Sequence, residues 1–258
     1  MNLRTGIRIF KDRLALATAL SSYVAQAAQA SLLANGRFCV ALSGGSLMEI
    51  IAPVLSTNPL RDRIDWSAWR IFWIDERWVP PSSPDSNFCL ARRLLLSRVG
   101  VSGEHIHAVD DSKSPDETAR ACEAIIRRTL HVETGVFPRF DLVLLGLGED
   151  GHIASLFPGH PALQESRRWV VPVFDAPKPP PVRVTMTLPV INHARRVAFV
   201  AAGYGKAGIV GRVLQPRDED SEIPAQRVNP VHGEMRWFLD EQACSSLLSR
   251  NSEGCDDE

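Results

Sequence analysis

The chain has 258 residues, 45% hydrophobic and 23% charged, and its 29 Lys and Arg against 30 Asp and Glu leave a formal net charge of −1. That balance excludes a disordered chain and a general nucleic-acid binder, and no apolar run approaches the roughly 18–20 residues of a membrane span. Five cysteines without CxxC spacing suit neither a disulfide framework nor a zinc site and read as reduced thiols of a cytoplasmic protein. The length predicts a single domain over 1–250 and a polar, disordered tail over 251–258.

The N-terminal basic residues Arg4, Arg8, Lys11 and Arg13, the apolar stretch 14–20 and Ala28-Gln29-Ala30 have the outline of a secretory signal. Asp12, Thr18, Ser21 and Ser22 interrupt it. The reading preferred is an Ala-rich helix with Asp12 as N-cap and Gly36 just past its end. Residues 38–42 form a buried strand, Ser43-Gly44-Gly45 turns, and a helix opens at Ser46, whose spacing to Glu49 predicts a capping box. A strand follows over 70–74, then a Pro- and Ser-rich loop and a helix over 87–97. Ser114-Pro115-Asp116-Glu117 starts a helix that runs to Leu130, with Ser as N-cap and Pro in the first turn. The most apolar strand is 141–147. Further strands are expected over 170–173, 182–188, 197–202 and 235–239, with a helix over 206–213 and a terminal helix capped by Asp240.

Apolar strands alternating with helices predict an α/β fold, a mostly parallel sheet with helices on both faces. Ligands of such sheets bind outside the carboxyl ends of the strands. Four clusters stand at strand ends. Ser43, Gly44, Gly45 and Ser46 offer a backbone turn and a helix N-terminus to an anion, though they form neither a P-loop nor GxGxxG. Asp75-Glu76-Arg77 puts an acid pair beside a guanidinium able to clamp a phosphate or carboxylate, or to fix its own loop. In Gly146-Leu147-Gly148-Glu149-Asp150-Gly151-His152, the imidazole has the intrinsic pKa of a general base, and Asp150 stands two residues away to orient it. Gly203-Tyr204-Gly205-Lys206 places a lysine at a helix start, where it serves as a point charge for phosphate or as a solvated surface group. No Ser or Cys occupies a nucleophile elbow, and His152 and His160 have no metal-ligand spacing. The clusters describe an anionic small-molecule pocket with a histidine base.

LSGGS (42–46), DERWVP (75–80) with the later SN (86–87), GLGEDGHIASLFPG (146–159), RVTMTLPVIN (183–192) and GYGK (203–206) together resemble the 6-phosphogluconolactonase family, within the glucosamine/galactosamine-6-phosphate isomerase superfamily. The GEDGHIASLFPG stretch is the most specific. Leu47-Met48 stand where many bacterial members read Thr-Pro; other members, animal ones included, also carry Leu there. The resemblance implies a Rossmann-like sheet and hydrolysis of 6-phospho-D-glucono-1,5-lactone to 6-phosphogluconate in the oxidative pentose phosphate pathway. It implies no metal, no cofactor and no nucleic-acid or membrane partner; a monomer is expected. By the same resemblance His152 is the base, with Asp150 holding it or touching sugar hydroxyls. Ser43–Ser46, Lys206 and Arg77 serve the phosphate, with Arg77 or backbone N–H groups left open for the oxyanion. Asp75, Asn87, Gly148, Ser155 and Arg183 are pocket residues without assigned roles.

Two rivals remain. Isomerases and deaminases of glucosamine 6-phosphate share the DGH element but follow it with Asn-Glu-Pro, where this chain reads Leu156-Phe157-Pro158. A non-catalytic sugar-phosphate-binding relative would bind 6-phosphogluconate without turnover.

Overall fold

The computed structural model describes residues 5–216 and 223–247. Six parallel strands form the central sheet: β1 (Thr5–Phe10), β2 (Phe38–Leu42), β3 (Trp69–Trp73), β5 (Leu142–Gly146), β8 (Arg196–Ala201) and β9 (Glu234–Asp240). Their order is β1-β9-β8-β5-β2-β3. A smaller antiparallel sheet packs beside it, built from β4 (Asp75–Arg77), β6 (Val170–Val173) and β7 (Arg183–Met186) in the order β4-β7-β6. The expected parallel sheet is present. The strands expected over 170–173 and 182–188 belong instead to the second sheet.

The helices are α1 (Arg13–Asn35), α2 (Ser46–Leu55), α3 (Leu60–Arg63), α4 (Asn87–Leu94), α5 (Pro115–Leu130), α6 (Leu188–His193) and α7 (Ala207–Leu214). Alternation along the central strands explains why both sheet faces are apolar. Phe38, Val40, Leu42, Leu142 and Leu144 face one core with Leu16 and Leu20 of α1 and Ile51 of α2. Cys39, Ala41, Val143, Leu145 and Phe199 face the other, with Ile126 of α5, Val190 of α6 and Val210 of α7. Among the described residues no helix is long and apolar enough to cross a membrane.

Local chemistry accounts for most element ends. Asp12 accepts from the Ala15 N–H at 2.8 Å, and Gly36 closes α1 in the left-handed region at φ +69°. Ser114 and Glu117 form the reciprocal capping box. The same spacing at Ser46 and Glu49 does not: Gly45 is the N-cap of α2 and no side chain caps that helix. Ser46 is already the first helical residue, so its hydroxyl is misplaced to cap. Glu49 instead reaches Arg13 at 3.6 Å. The helix expected over 87–97 ends at Leu94, with a separate 3-10 turn at Leu96–Arg98. The strand expected to reach 188 stops at Met186, because Pro189 lacks an N–H and takes the first turn of α6. Asp240 accepts from the N–H groups of Ala243 and Gly203; the end of the expected terminal helix and the tail over 251–258 lie outside the described residues.

The chain leaves β2 for β3 on one side and β5 for β8 on the other. The crevice between the carboxyl ends of β2 and β5 is therefore the topological switch point of the sheet, where open α/β folds bind ligands. Leu145 is fully buried beneath it. Leu145→Ala should destabilise the fold by about 2–5 kcal/mol, seen as a lower urea midpoint with an unchanged m-value. A loss below about 1 kcal/mol would mean that β5 is not the packed centre described.

Candidate active site

Residues from several segments line a cleft of about 190 Å³ at the switch point. The first wall is the turn after β2. Ser43 donates its hydroxyl to the Leu144 carbonyl at 2.9 Å, tying the turn to β5. A Cβ on Gly44 would collide with the Asn87 side chain, so the backbone passes there only as glycine. Gly45 and Ser46 are exposed, and the uncapped first turn of α2 leaves N–H groups available to an anion.

The second wall is β4, entered directly from β3 through Ile74. Its three residues have different tasks. Glu76 is buried and accepts from the N–H groups of Arg77, Asn87 and Phe88 at 2.7–2.8 Å and from the Ser86 hydroxyl at 3.0 Å. Burial raises its pKa, and the backbone donors oppose that rise. This carboxylate holds the start of α4 and with it Asn87, whose side chain donates to the Asp75 carbonyl at 2.9 Å. Asp75 accepts the Ser155 hydroxyl at 2.7 Å and lies 3.9 Å from Arg183. Arg77 lines the cleft. Its Nη1 donates to the Asp85 carbonyl at 2.8 Å, while its buried Nε has no partner among the described residues.

The loop after β5 carries Asp150 and His152. The Asp150 carboxylate lies 2.5 Å from Nδ1 of His152 and also accepts the His152 backbone N–H at 3.2 Å. An ionised carboxylate only accepts, so Nδ1 carries the proton and Nε2 presents its lone pair. No hydrogen bond to Nε2 occurs among the described residues. Gly148 is required beside the pair, because a Cβ there would collide with both the imidazole and the Asp150 carboxylate. Phe157, with its ring centroid 4.6 Å from that of His152, backs the imidazole. Burial lowers the His152 pKa below 6.5 despite the opposing pull of Asp150. Burial also opposes ionisation of Asp150, but the hydrogen bonds and charge of His152 prevail and hold its carboxyl below the ordinary value. His160, the other histidine of this region, is fully engaged: Nε2 lies 2.8 Å from Asp175 and Nδ1 accepts the Ala162 N–H at 3.1 Å. It is a structural cap with no nitrogen to spare.

Lys206 closes the cleft from the turn before α7, and Lys178 from the Pro-rich loop between β6 and β7. Burial lowers the Lys206 pKa, Glu149 opposes the shift, and Lys178 adds to it. Sequence patterns gave no sign of Lys178, which belongs to no motif. The Arg183 guanidinium places its loop by donating to the carbonyls of Pro180 at 3.0 Å and Lys178 at 2.7 Å.

Of the expected residues, Ser43, Gly44, Gly45, Ser46, Asp75, Arg77, Asn87, Gly148, His152, Arg183 and Lys206 line the cleft. Asp150 stands behind the His152 ring rather than in the wall. Ser155 is fully buried, with its hydroxyl on Asp75, and supports the wall from beneath. Among the described residues no three His, Cys, Asp or Glu side chains gather as a metal site.

Residues 11–237 match the family model described as glucosamine-6-phosphate isomerases/6-phosphogluconolactonase. The chain belongs to this family. Among the family's curated members, a probable 6-phosphogluconolactonase 1 of Arabidopsis thaliana is 42% identical over 254 residues, 95% of this chain and 94% of the relative. A probable chloroplastic 6-phosphogluconolactonase 4 of Oryza sativa subsp. indica is 41% identical, covering 95% of this chain and 77% of the relative. The solved 6-phosphogluconolactonase of Trypanosoma cruzi superposes with a TM-score of 0.83 at 29% identity, over 96% of this chain and 98% of that one.

The pair makes a titration prediction. The His152 imidazole should titrate below 6.5 when followed by NMR, because burial disfavours its cation. Asp150→Asn should move it lower still, since the carboxylate is what favours the charged ring. An imidazole titrating above 6.5, or rising in Asp150→Asn, would contradict the geometry.

Proposed function

We propose that the chain hydrolyses 6-phospho-D-glucono-1,5-lactone to 6-phospho-D-gluconate. The observation that carries this reading is a neutral histidine, fixed by Asp150 with Nε2 open, in a cleft walled by Arg77, Lys178 and Lys206. A base among cations suits an ester-like carbonyl on an anionic sugar. The names of the relatives support the same choice within the family. Against the isomerase alternative, Leu156 and Phe157 are buried core residues where the isomerases carry their acidic residue.

In the proposed reaction the phosphate sits at the amino end of α2 with Lys206, and the lactone C1 faces His152. Nε2 takes a proton from water as its oxygen attacks C1. The resulting oxyanion is stabilised by a donor of the cleft wall, where Arg77 has an unpartnered Nε. Collapse breaks the bond from C1 to the ring oxygen, and imidazolium returns the proton to that oxygen. The products are a carboxylic acid, which ionises, and a free hydroxyl. Gly148 and Asp150 keep the ring in place throughout. With this scheme we read the protein as a cytoplasmic monomer that uses no metal or organic cofactor.

His152→Ala should lower kcat by about 10²–10⁴-fold with little change in KM, after the lactone's spontaneous hydrolysis is subtracted. Lys206→Ala should act mainly on KM. Wild-type kcat in folded His152→Ala would refute the scheme, and ammonia release from glucosamine 6-phosphate would favour the isomerase alternative.

A further inference from the structure

A second cationic hollow lies at the opposite end of the sheet. It spans about 460 Å³ between the amino ends of β2 and β3 and the carboxyl end of α5, a size suited to a small metabolite. Arg37, Arg70, Arg128, His105, His107 and His131 line it, with Glu104 as the one carboxylate. Glu104 is 77% exposed and faces His105 at 3.6 Å. Among the described residues no carboxylate pairs with Arg37, Arg70 or Arg128. The helix dipole of α5 accounts for a cation at Arg128 but not for Arg37 and Arg70, which stand on the sheet side.

The hollow is also built rather than merely charged. Nη1 of Arg70 is fixed by the carbonyls of Ser67 and Trp69, both at 3.1 Å. The segment carrying His105 and His107 is pinned along β3, with the His107 N–H on the Ile71 carbonyl at 2.9 Å. Nε2 of His107 and Nδ1 of His105 are buried without hydrogen-bond partners. Burial, then the charges of Arg128, His105 and Arg70, push the His107 pKa down to about 4. His107 is therefore a neutral ring, able to donate to an anion from within a positive field. For a chain of net charge −1, three unpaired arginines around such rings are a local excess.

We infer that this hollow is a second anion site that takes a small phosphorylated metabolite, held by Arg37, Arg70 and Arg128 and flanked by the rings of His105 and His107. It is separate from the catalytic cleft. The five residues of β2 join the two, Arg37 at one end and Ser43 at the other, a span of roughly 20 Å.

Titration calorimetry of the full chain with inorganic pyrophosphate at low ionic strength tests this. Wild type should show two classes of site. Arg37→Gln/Arg128→Gln should weaken one class by at least about tenfold and spare the other, which Lys206→Gln should weaken instead. Arg128→Glu alone, at an exposed position, gives the same reading if the double variant does not fold. One class of site in wild type, or two unchanged classes in the arginine variants, would overturn the proposal. Because the arginine and lysine variants report separately, failure here leaves the reading of the cleft intact, and the converse holds.

Discussion

The hydrogen bond from Nδ1 of His152 to Asp150 is the constraint on which the cleft depends. It sets the tautomer, turns Nε2 outward and, against burial, keeps the imidazolium accessible when a proton arrives. The surrounding structure serves that geometry. Gly148 leaves the space the ring occupies, Phe157 backs it, and the loop itself hangs from β5 at the sheet's switch point. Asp75, Ser155 and Arg183 extend the same logic to the facing wall, where a buried network fixes the loop that carries Lys178.

Charge in this molecule is local. The formal net charge of −1 gives no long-range pull on an anion, yet Arg77, Lys178 and Lys206 meet at one cleft, beside the uncapped first turn of α2. Burial lowers the Lys206 pKa, and Lys178 reinforces that shift against the opposing charge of Glu149. A dianionic phosphate relieves both effects, so the energy of crowding these cations becomes binding energy when the proposed substrate enters. The hollow at the other end of the sheet repeats the pattern with arginine and histidine.

Much of this was legible in the sequence, for identifiable reasons. The run 142–146 is apolar on both faces because it is the buried centre of the parallel sheet, and the loop after it carries the glycines and the Asp-His pair within seven residues. Ser114 and Glu117 behaved as their spacing implies, while Ser46 and Glu49 did not. The difference lies in Gly45, which at φ +59° takes the N-cap position and leaves the serine as the first helical residue. β1 was hidden, because its residues are half exposed and its partner β9 lies at the far end of the chain. The second sheet was hidden for a similar reason: β4 is three residues long and reads as the end of β3. Lys178 and the support role of Ser155 depend on contacts between segments distant in sequence, which no local pattern encodes.

The central claim is that Asp150 aims His152 Nε2 at the lactone carbonyl while the far end of the cleft holds phosphate. A crystal structure with 6-phosphogluconate bound tests it most directly. The account predicts a C1 carboxylate oxygen within roughly 3 Å of Nε2 and the phosphate at the amino end of α2 beside Lys206. A ligand bound in the reverse sense, with phosphate against His152, would contradict it.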